Sequence, residues 1–173
     1  YRNIQASVTM NRTLSVIIPA FNEEKTVHQI LDRVGEVQID GISLEIVVVN
    51  DCSTDRTGRV VEEYILKRSE SQGFTDMRLV HQERNMGKGA AIRRGIEEAT
   101  GEFLVIQDAD LEYDPLEYSD LLKPLMNDRA DVVYGSRFMG SNPHRILFFW
   151  HSIGNKFLTF VSNMFNNLNL TDM

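Results

Sequence analysis

Short runs of β-branched and aliphatic residues alternate along the chain with segments whose apolar positions recur every three or four residues. Leu14 to Ile18 and Leu44 to Val49 are almost continuously hydrophobic, the pattern of strands buried on both faces. Met77 to His81, Phe103 to Gln107 and Asp131 to Tyr134 predict three shorter strands. Between them, 24–34 places Val27, Ile30, Leu31 and Val34 on one helical face. Asp55 is placed to cap a helix reaching about Arg68, with Val60, Val61, Tyr64 and Ile65 inward. Ala91, Ile92, Ile96 and Ala99 predict a helix over 89–99 that Gly101 ends. Pro115 suits the first turn of another helix that Pro124 should bend or end near Met126. The resulting βαβαβαβαβ order predicts an α/β fold, a mostly parallel sheet flanked by helices. In such sheets ligands bind beyond the carboxyl ends of the strands, so the loops there are where chemistry belongs.

Composition narrows the class. The 173 residues carry 18 Lys and Arg against 25 Asp and Glu, a formal charge of −7 that argues against nonspecific nucleic-acid binding. One cysteine, Cys52, excludes an intrachain disulfide framework and reads as a small buried residue. The charge is uneven: 138–171 contains no Asp or Glu, only Arg145 and Lys156, so it carries +2 and the rest −9. Ile146, Phe149, Trp150, Ile153, Phe157 and Phe160 fall near one helical stripe there. That stripe suits either a buried core helix or an amphipathic helix lying on a membrane surface over about 146–165. His151, Asn155 and Lys156 interrupt it, which makes it a poor spanning helix. Met10 reads as the natural start, with 1–9 a scar or disordered start, and 10–173 is expected to form one domain cut short at its C-terminus.

The strand-end loops hold more than turn residues. Asp108-Ala109-Asp110 puts two carboxylates at the end of an apolar strand, where a divalent cation would relieve their repulsion, and Glu112 adds a third oxygen donor; the alternative is a solvated acidic turn. Asp51, after Val47-Val48-Val49-Asn50, can either accept a hydrogen bond from a nucleobase or close an Asx turn. Met86-Gly87-Lys88-Gly89 departs from the P-loop pattern, since Gln82 and Gly89 occupy its first Gly and its Ser/Thr positions, but leaves a cation opening a helix. Arg137, after Gly135-Ser136, suits a phosphate grip or a salt bridge.

The pieces Val16-Ile-Ile-Pro-Ala-Phe-Asn-Glu-Glu24, Val48-Val-Asn-Asp-Cys-Ser-Thr-Asp-Arg-Thr57, Asn85-Met-Gly-Lys-Gly89, Asp108-Ala-Asp-Leu-Glu-Tyr-Asp-Pro115 and Gly135-Ser-Arg-Phe138, in this order, resemble the inverting family-two glycosyltransferases of GT-A (Rossmann-like) fold, and among them polyprenyl- and dolichyl-phosphate mannose or glucose synthases. The resemblance implies transfer of a sugar from a nucleoside-diphosphate sugar to a lipid phosphate, with Mg²⁺ or Mn²⁺, on the cytoplasmic face of a membrane. Carried over by position, Pro19, Phe21 and Glu23 border the nucleotide and Asp51 contacts its base. Lys88 lies near the diphosphate, Asp108 and Asp110 position the metal with Glu112 beside them, and Arg137 holds phosphate. Asp110 and Arg137 would then be the catalytic pair, with Asp108 also touching the nucleotide. Phe149, Trp150 and Phe157 would face the lipid. Asn50 stands where many relatives have Asp, and Glu112 where polyprenyl-phosphate synthases often have Gln. Two rivals remain: a family-two enzyme acting on a sugar hydroxyl, and a non-catalytic nucleotide-sugar binding module.

Overall fold

The computed structural model describes residues 12–69, 76–135 and 149–166, the last segment with its side chains from residue 157 to 165. Four strands, β1 (Arg12–Ala20), β2 (Ile42–Asn50), β3 (Asp76–His81) and β4 (Phe103–Ile106), form one parallel sheet in the order β3-β2-β1-β4. The helices are α1 (Val27–Gly35), α2 (Thr57–Ser69), α3 (Lys88–Glu98), α4 (Tyr118–Met126) and α5 (Phe149–Asn166), with a 3-10 turn at Pro115–Glu117. The chain falls into two compact units, Tyr1–Ser119 and Asp120–Met173; the first contains the whole sheet.

The sheet order follows from burial. β1 and β2 lie inside and are the most apolar runs: Val16, Ile17, Ile18, Ile46, Val47, Val48 and Val49 are all fully buried. α1 buries the four positions its periodicity selects, Val27, Ile30, Leu31 and Val34. The register explains a proline in a central strand. Gln107 N donates to Ile17 O and Asp51 N to Ala20 O. Successive residues of a strand face opposite neighbours, so the missing N–H of Pro19 points to the β4 side, where β4 has already ended at Ile106.

Two sequence expectations change. The α3 face toward the sheet uses Ala91 and Gly95, while Ile96 is 46% exposed. Gly95 is needed because a Cβ there would sit 2.4 Å from Ile17 Cγ2, so α3 approaches β1 more closely than an isoleucine-lined face would permit. Asp131 to Tyr134 does not form a fifth strand: it has no ladder partner among the described residues, and Val132 and Tyr134 are 64% and 71% exposed. Strand-forming residues need a neighbouring strand to complete them.

The amino ends of the strands are held by a charge that strand periodicity hid. Glu45, in the middle of β2, is fully buried. It accepts hydrogen bonds from Ser15 Oγ on β1, from Thr100 N (2.8 Å) and Oγ1 (2.9 Å), and from Arg78 Nη2 on β3 (2.6 Å). Arg78 also donates to Glu98 O at the end of α3, and Gly101 N to Ser15 Oγ. One carboxylate therefore joins three strands to the exit of α3. Burial works against its charge, but these donors prevail and hold the Glu45 carboxyl below its ordinary value. A lowered folded pKa contributes stability that is complete above the unfolded value, 4.5, and is lost as pH falls through the folded one. Glu45→Gln is expected to cost about 2–3 kcal/mol at pH 7, since hydrogen bonds to a charged group are broken. Urea denaturation of both proteins should show that difference shrinking as pH drops below about 4.5.

Candidate active site

β1, β2 and β3 progress outward in one direction and β4 returns to the opposite flank of β1, which makes the gap between the ends of β1 and β4 the topological switch point. The loops that flank it begin at Phe21 and Gln107. Asn22 at φ 58°, Cys52 at φ 56° and Leu111 at φ 65° place a left-handed residue in the loops after β1, β2 and β4. That conformation costs roughly 1–2 kcal/mol for side chains such as Cys and Leu, so the surrounding bonds must impose it.

Those bonds lace the first two loops together. Asn22 Oδ1 accepts from Thr54 N (2.9 Å) and Asn22 N donates to Ser53 Oγ (3.0 Å). Glu23 N donates to Thr57 Oγ1 (2.8 Å), and Asp55 accepts from Thr57 N (2.9 Å) and Glu24 N (3.2 Å). Partial burial opposes the Asp55 charge, yet the donors from Thr57 and Glu24 hold its carboxyl below the usual carboxylate range. The expected cap thus also clamps the β1 loop. Pro19 is buried, Phe21 presents an exposed ring, and the Glu23 carboxylate accepts from Thr26 Oγ1 at 2.5 Å. Cys52 is half-buried, with its thiol toward Glu83 O. Asn50 Oδ1 accepts from Ser53 N, so Asn50 Nδ2 faces His81 Nδ1 at 3.2 Å and makes that nitrogen the acceptor. His81 Nε2 then carries the proton, toward Glu62. Gly58 makes room for the pair, since a Cβ there would meet Asn50 Nδ2 at 2.8 Å.

Asp51 is 3% exposed and both its oxygens are engaged. Oδ1 accepts from Gln82 Nε2 (2.7 Å) and Met86 N (2.9 Å), and Oδ2 from Gly87 N (2.8 Å). α3 has neither a side-chain cap nor an acidic first turn of its own. From the end of β2, Asp51 instead holds Met86 N and Gly87 N ahead of the helix and fixes the positive-φ Gly87 from which Lys88 departs. Lys88 Nζ reaches across to Asp108, 2.7 Å from Oδ1 and 2.8 Å from Oδ2. Sequence-distant residues thus meet at the ends of β2, β3 and β4.

Beyond β4, the loop is organised by a residue that sequence reasoning passed over. Gln107 is fully buried; its Nε2 donates to Asp108 O (3.1 Å) and Tyr113 O (3.3 Å), and its Oε1 accepts from Tyr118 OH (2.7 Å). Burial, with the Asp114 charge adding to it, pushes the Tyr118 phenol well above its usual value, so it remains a donor. Asp110 is exposed; its Oδ1 accepts from Glu112 N (3.1 Å) and its Oδ2 has no partner among the described residues. Among the described residues no three His, Cys, Asp or Glu side chains come together as a cation cage. Asp108 is already neutralised by Lys88. The oxygen donors present fit a hard cation that keeps water and substrate phosphate as its other ligands, not one enclosed by protein.

A family profile described as Glycosyl transferase family 2 matches residues 15–169. The chain belongs to this family. A dolichyl-phosphate beta-glucosyltransferase of Trichomonas vaginalis is 34% identical over 144 residues, 77% of this chain and 42% of that protein. A dolichol-phosphate mannosyltransferase of Pyrococcus furiosus is 32% identical over 126 residues, 73% of this chain and 33% of that protein. Among solved structures, glucosyl-3-phosphoglycerate synthase of Mycobacterium tuberculosis, in complex with Mn²⁺, UDP and glucosyl-3-phosphoglycerate, is 28% identical with a TM-score of 0.51, covering 66% of this chain and 39% of that one. The chain spans about half or less of the length of these relatives. The sheet and its flanking helices are GT-A-like, as the family implies.

Of the residues the family resemblance singles out, Lys88 and Asp108 meet, and Asp51 reaches them through Gly87. Glu112 joins Asp110 through its backbone. Arg137 and the side chains of Phe149 and Trp150 lie outside the described residues, and Phe157 is 64% exposed. Gln107 and Tyr118 escaped notice because a neutral amide and a helix-facing tyrosine look like ordinary core; an amide directly before an Asp-x-Asp was the one available signal. Tyr118→Phe should strand Gln107 Oε1 without a donor and lower stability by about 1–3 kcal/mol, measured by urea denaturation.

Proposed function

We propose that this chain is the donor-binding part of an inverting hexosyltransferase that moves a sugar from a nucleoside-diphosphate sugar, of the GDP-mannose or UDP-glucose type, to a polyprenyl or dolichyl phosphate. The observation that carries the reading is the Lys88–Asp108 pair beside the open Asp110 oxygen at the switch point. A diphosphate offers Lys88 a more highly charged partner than Asp108, and releases that carboxylate. The backbone N–H groups of Lys88 and Gly89 open α3, have no acceptor among the described residues and suit anionic oxygens. Mg²⁺ or Mn²⁺ at Asp110, with Asp108 contributing, would supply Lewis-acid neutralisation of charge on the departing diphosphate. Arg137 is assigned the grip on phosphate oxygens, and Phe21 the flank of the nucleoside. A phosphate acceptor is already ionised near neutral pH, so transfer to it requires no strong base.

The lipid acceptor is supported by the two dolichyl-phosphate relatives and by α5. On that helix Phe157, Leu158, Phe160, Met164 and Phe165 are 58–78% exposed, while Thr159 is buried and Ser162 and Asn163 are half-buried. The apolar side is the uncovered one, an arrangement suited to a membrane surface. No described helix is long and apolar enough to cross a membrane. The proposed mode for α5 is association with the surface of a membrane, on its cytoplasmic face. A phosphoglycerate-linked product in the mycobacterial relative keeps a soluble acceptor as the second reading.

With donor, Mn²⁺ and polyprenyl-phosphate vesicles, the protein should form glycosyl lipid, and Asp110→Ala should slow turnover at least about 100-fold. Nucleotide binding without any release of UDP or GDP identifies a binding module instead. Transfer to a sugar hydroxyl, indifferent to vesicles and to Phe149→Glu with Trp150→Glu, selects the second reading.

A further inference from the structure

Asp108 and Asp110 sit on a loop whose two ends are tied to a single nitrogen atom. Gln107 Nε2 donates to Asp108 O at the entry (3.1 Å) and to Tyr113 O at the exit (3.3 Å). Carbonyl oxygens only accept, so the amide nitrogen must face them and Oε1 must face Tyr118, whose hydroxyl donates to it at 2.7 Å. Both donor hydrogens and the acceptor of the amide are thereby used, and Gln107 is 1% exposed. The clasp is anchored from outside the loop. Gln107 N donates to Ile17 O on β1 at 2.9 Å. Tyr118, also buried, opens α4 directly after the turn that Asp114 caps through Leu116 N (3.1 Å). Between the two tied carbonyls Ala109 is buried and Leu111 stands at φ 65°, a left-handed conformation unfavourable for leucine.

We propose that Gln107 and Tyr118 are positioning residues for the Asp108 and Asp110 carboxylates: they set how tightly a divalent cation is held there and leave the nucleoside part of the site unaffected. The inference rests on the nucleotide-sugar reading of this site and adds to it two residues that touch neither cation nor substrate. A hard cation that keeps water and phosphate among its ligands takes few from the protein, so its affinity depends on where those few stand. The separation of Asp108 and Asp110 is a property of the loop backbone, and the clasp fixes that backbone at both ends. Phe21 and Asp51, assigned to the nucleoside side, belong to the ends of β1 and β2, which are laced by hydrogen bonds of their own. Loosening the β4 loop therefore does not reach them. Buried partners that orient metal ligands commonly change affinity by a factor of about 10–100 when removed.

Electron paramagnetic resonance titration of Mn²⁺ with UDP or GDP at saturation tests this, Asp110→Ala identifying the site by the binding it removes. Gln107→Met keeps an unbranched side chain of similar length without its donors, and should hold Mn²⁺ at least about fivefold more weakly. Tyr118→Phe leaves the donors but frees the amide to turn, and should weaken Mn²⁺ at least about twofold. In both variants UDP or GDP binding in EDTA, measured by calorimetry well below the unfolding temperature, should match the unaltered protein. Turnover lost at low Mn²⁺ should return as Mn²⁺ is raised, which a merely weakened fold would not show. Unchanged Mn²⁺ affinity in the folded variants overturns the proposal. So does a fall in metal-free nucleotide binding by the same factor, which leaves the clasp a feature of stability alone. Tyr118→Phe decides the matter where Gln107→Met does not fold. The absence of any Mn²⁺ site sensitive to Asp110→Ala would defeat the functional reading and this inference with it, an outcome distinct from a site that binds Mn²⁺ and ignores Gln107.

Discussion

The candidate site depends on one carboxylate accepting three donors. Asp51 ends β2, yet the groups it binds belong to the loop between β3 and α3, more than thirty residues later. Without it the two amides that lead into α3, Met86 N and Gly87 N, would lack an acceptor, and Lys88 would have no fixed origin. With it, the cation is delivered across the sheet ends to Asp108. A buried carboxylate surrounded by backbone N–H groups is rigid in a way an exposed side chain is not, so geometry made at β2 is kept at β4.

The opposite edge of the sheet uses the same device. Glu45 binds β1, β3 and the exit of α3 at the amino ends of the strands. The segments entering and leaving α3 are thus fixed by two carboxylates six residues apart, Glu45 within β2 and Asp51 just past its end, and the helix middle is pressed onto Ile17 and Val49 through Gly95. A helix held at three points cannot pivot without breaking buried polar bonds, each costly to leave unmade. That is a physical basis for a loop conformation precise enough to place an ammonium group.

Much of this was legible in the sequence. The inner strands announce themselves because sheets covered on both faces need unbroken apolar runs, and their order with the helices fixes which loops gather at the switch point. Asp108, Asp110, Lys88 and Asp51 are visible as charges at strand ends. What stayed hidden depended on distant partners. Nothing local indicates that Glu45 is neutralised by Arg78, that Gln107 orders the acidic loop, or that Asp51 is already occupied. Helical periodicity also favoured Ile96 over Gly95, because it counts hydrophobicity and not the space between a helix and a strand. Asp131 to Tyr134 has strand chemistry without a strand to pair with.

Asn50, His81 and Gly58 form a small closed arrangement in which each residue sets a condition on the others. An aspartate at position 50 would offer only lone pairs to the imidazole and place the ring proton on Nδ1, turning the lone pair of Nε2 toward Glu62. Any side chain larger than hydrogen at position 58 would push the amide off the ring. Exchanging residues in this corner therefore works only as a set: the unit of exchange is the triplet, and a protein engineer who imports one member inherits a mismatch in proton placement at the threshold of the loop after β2.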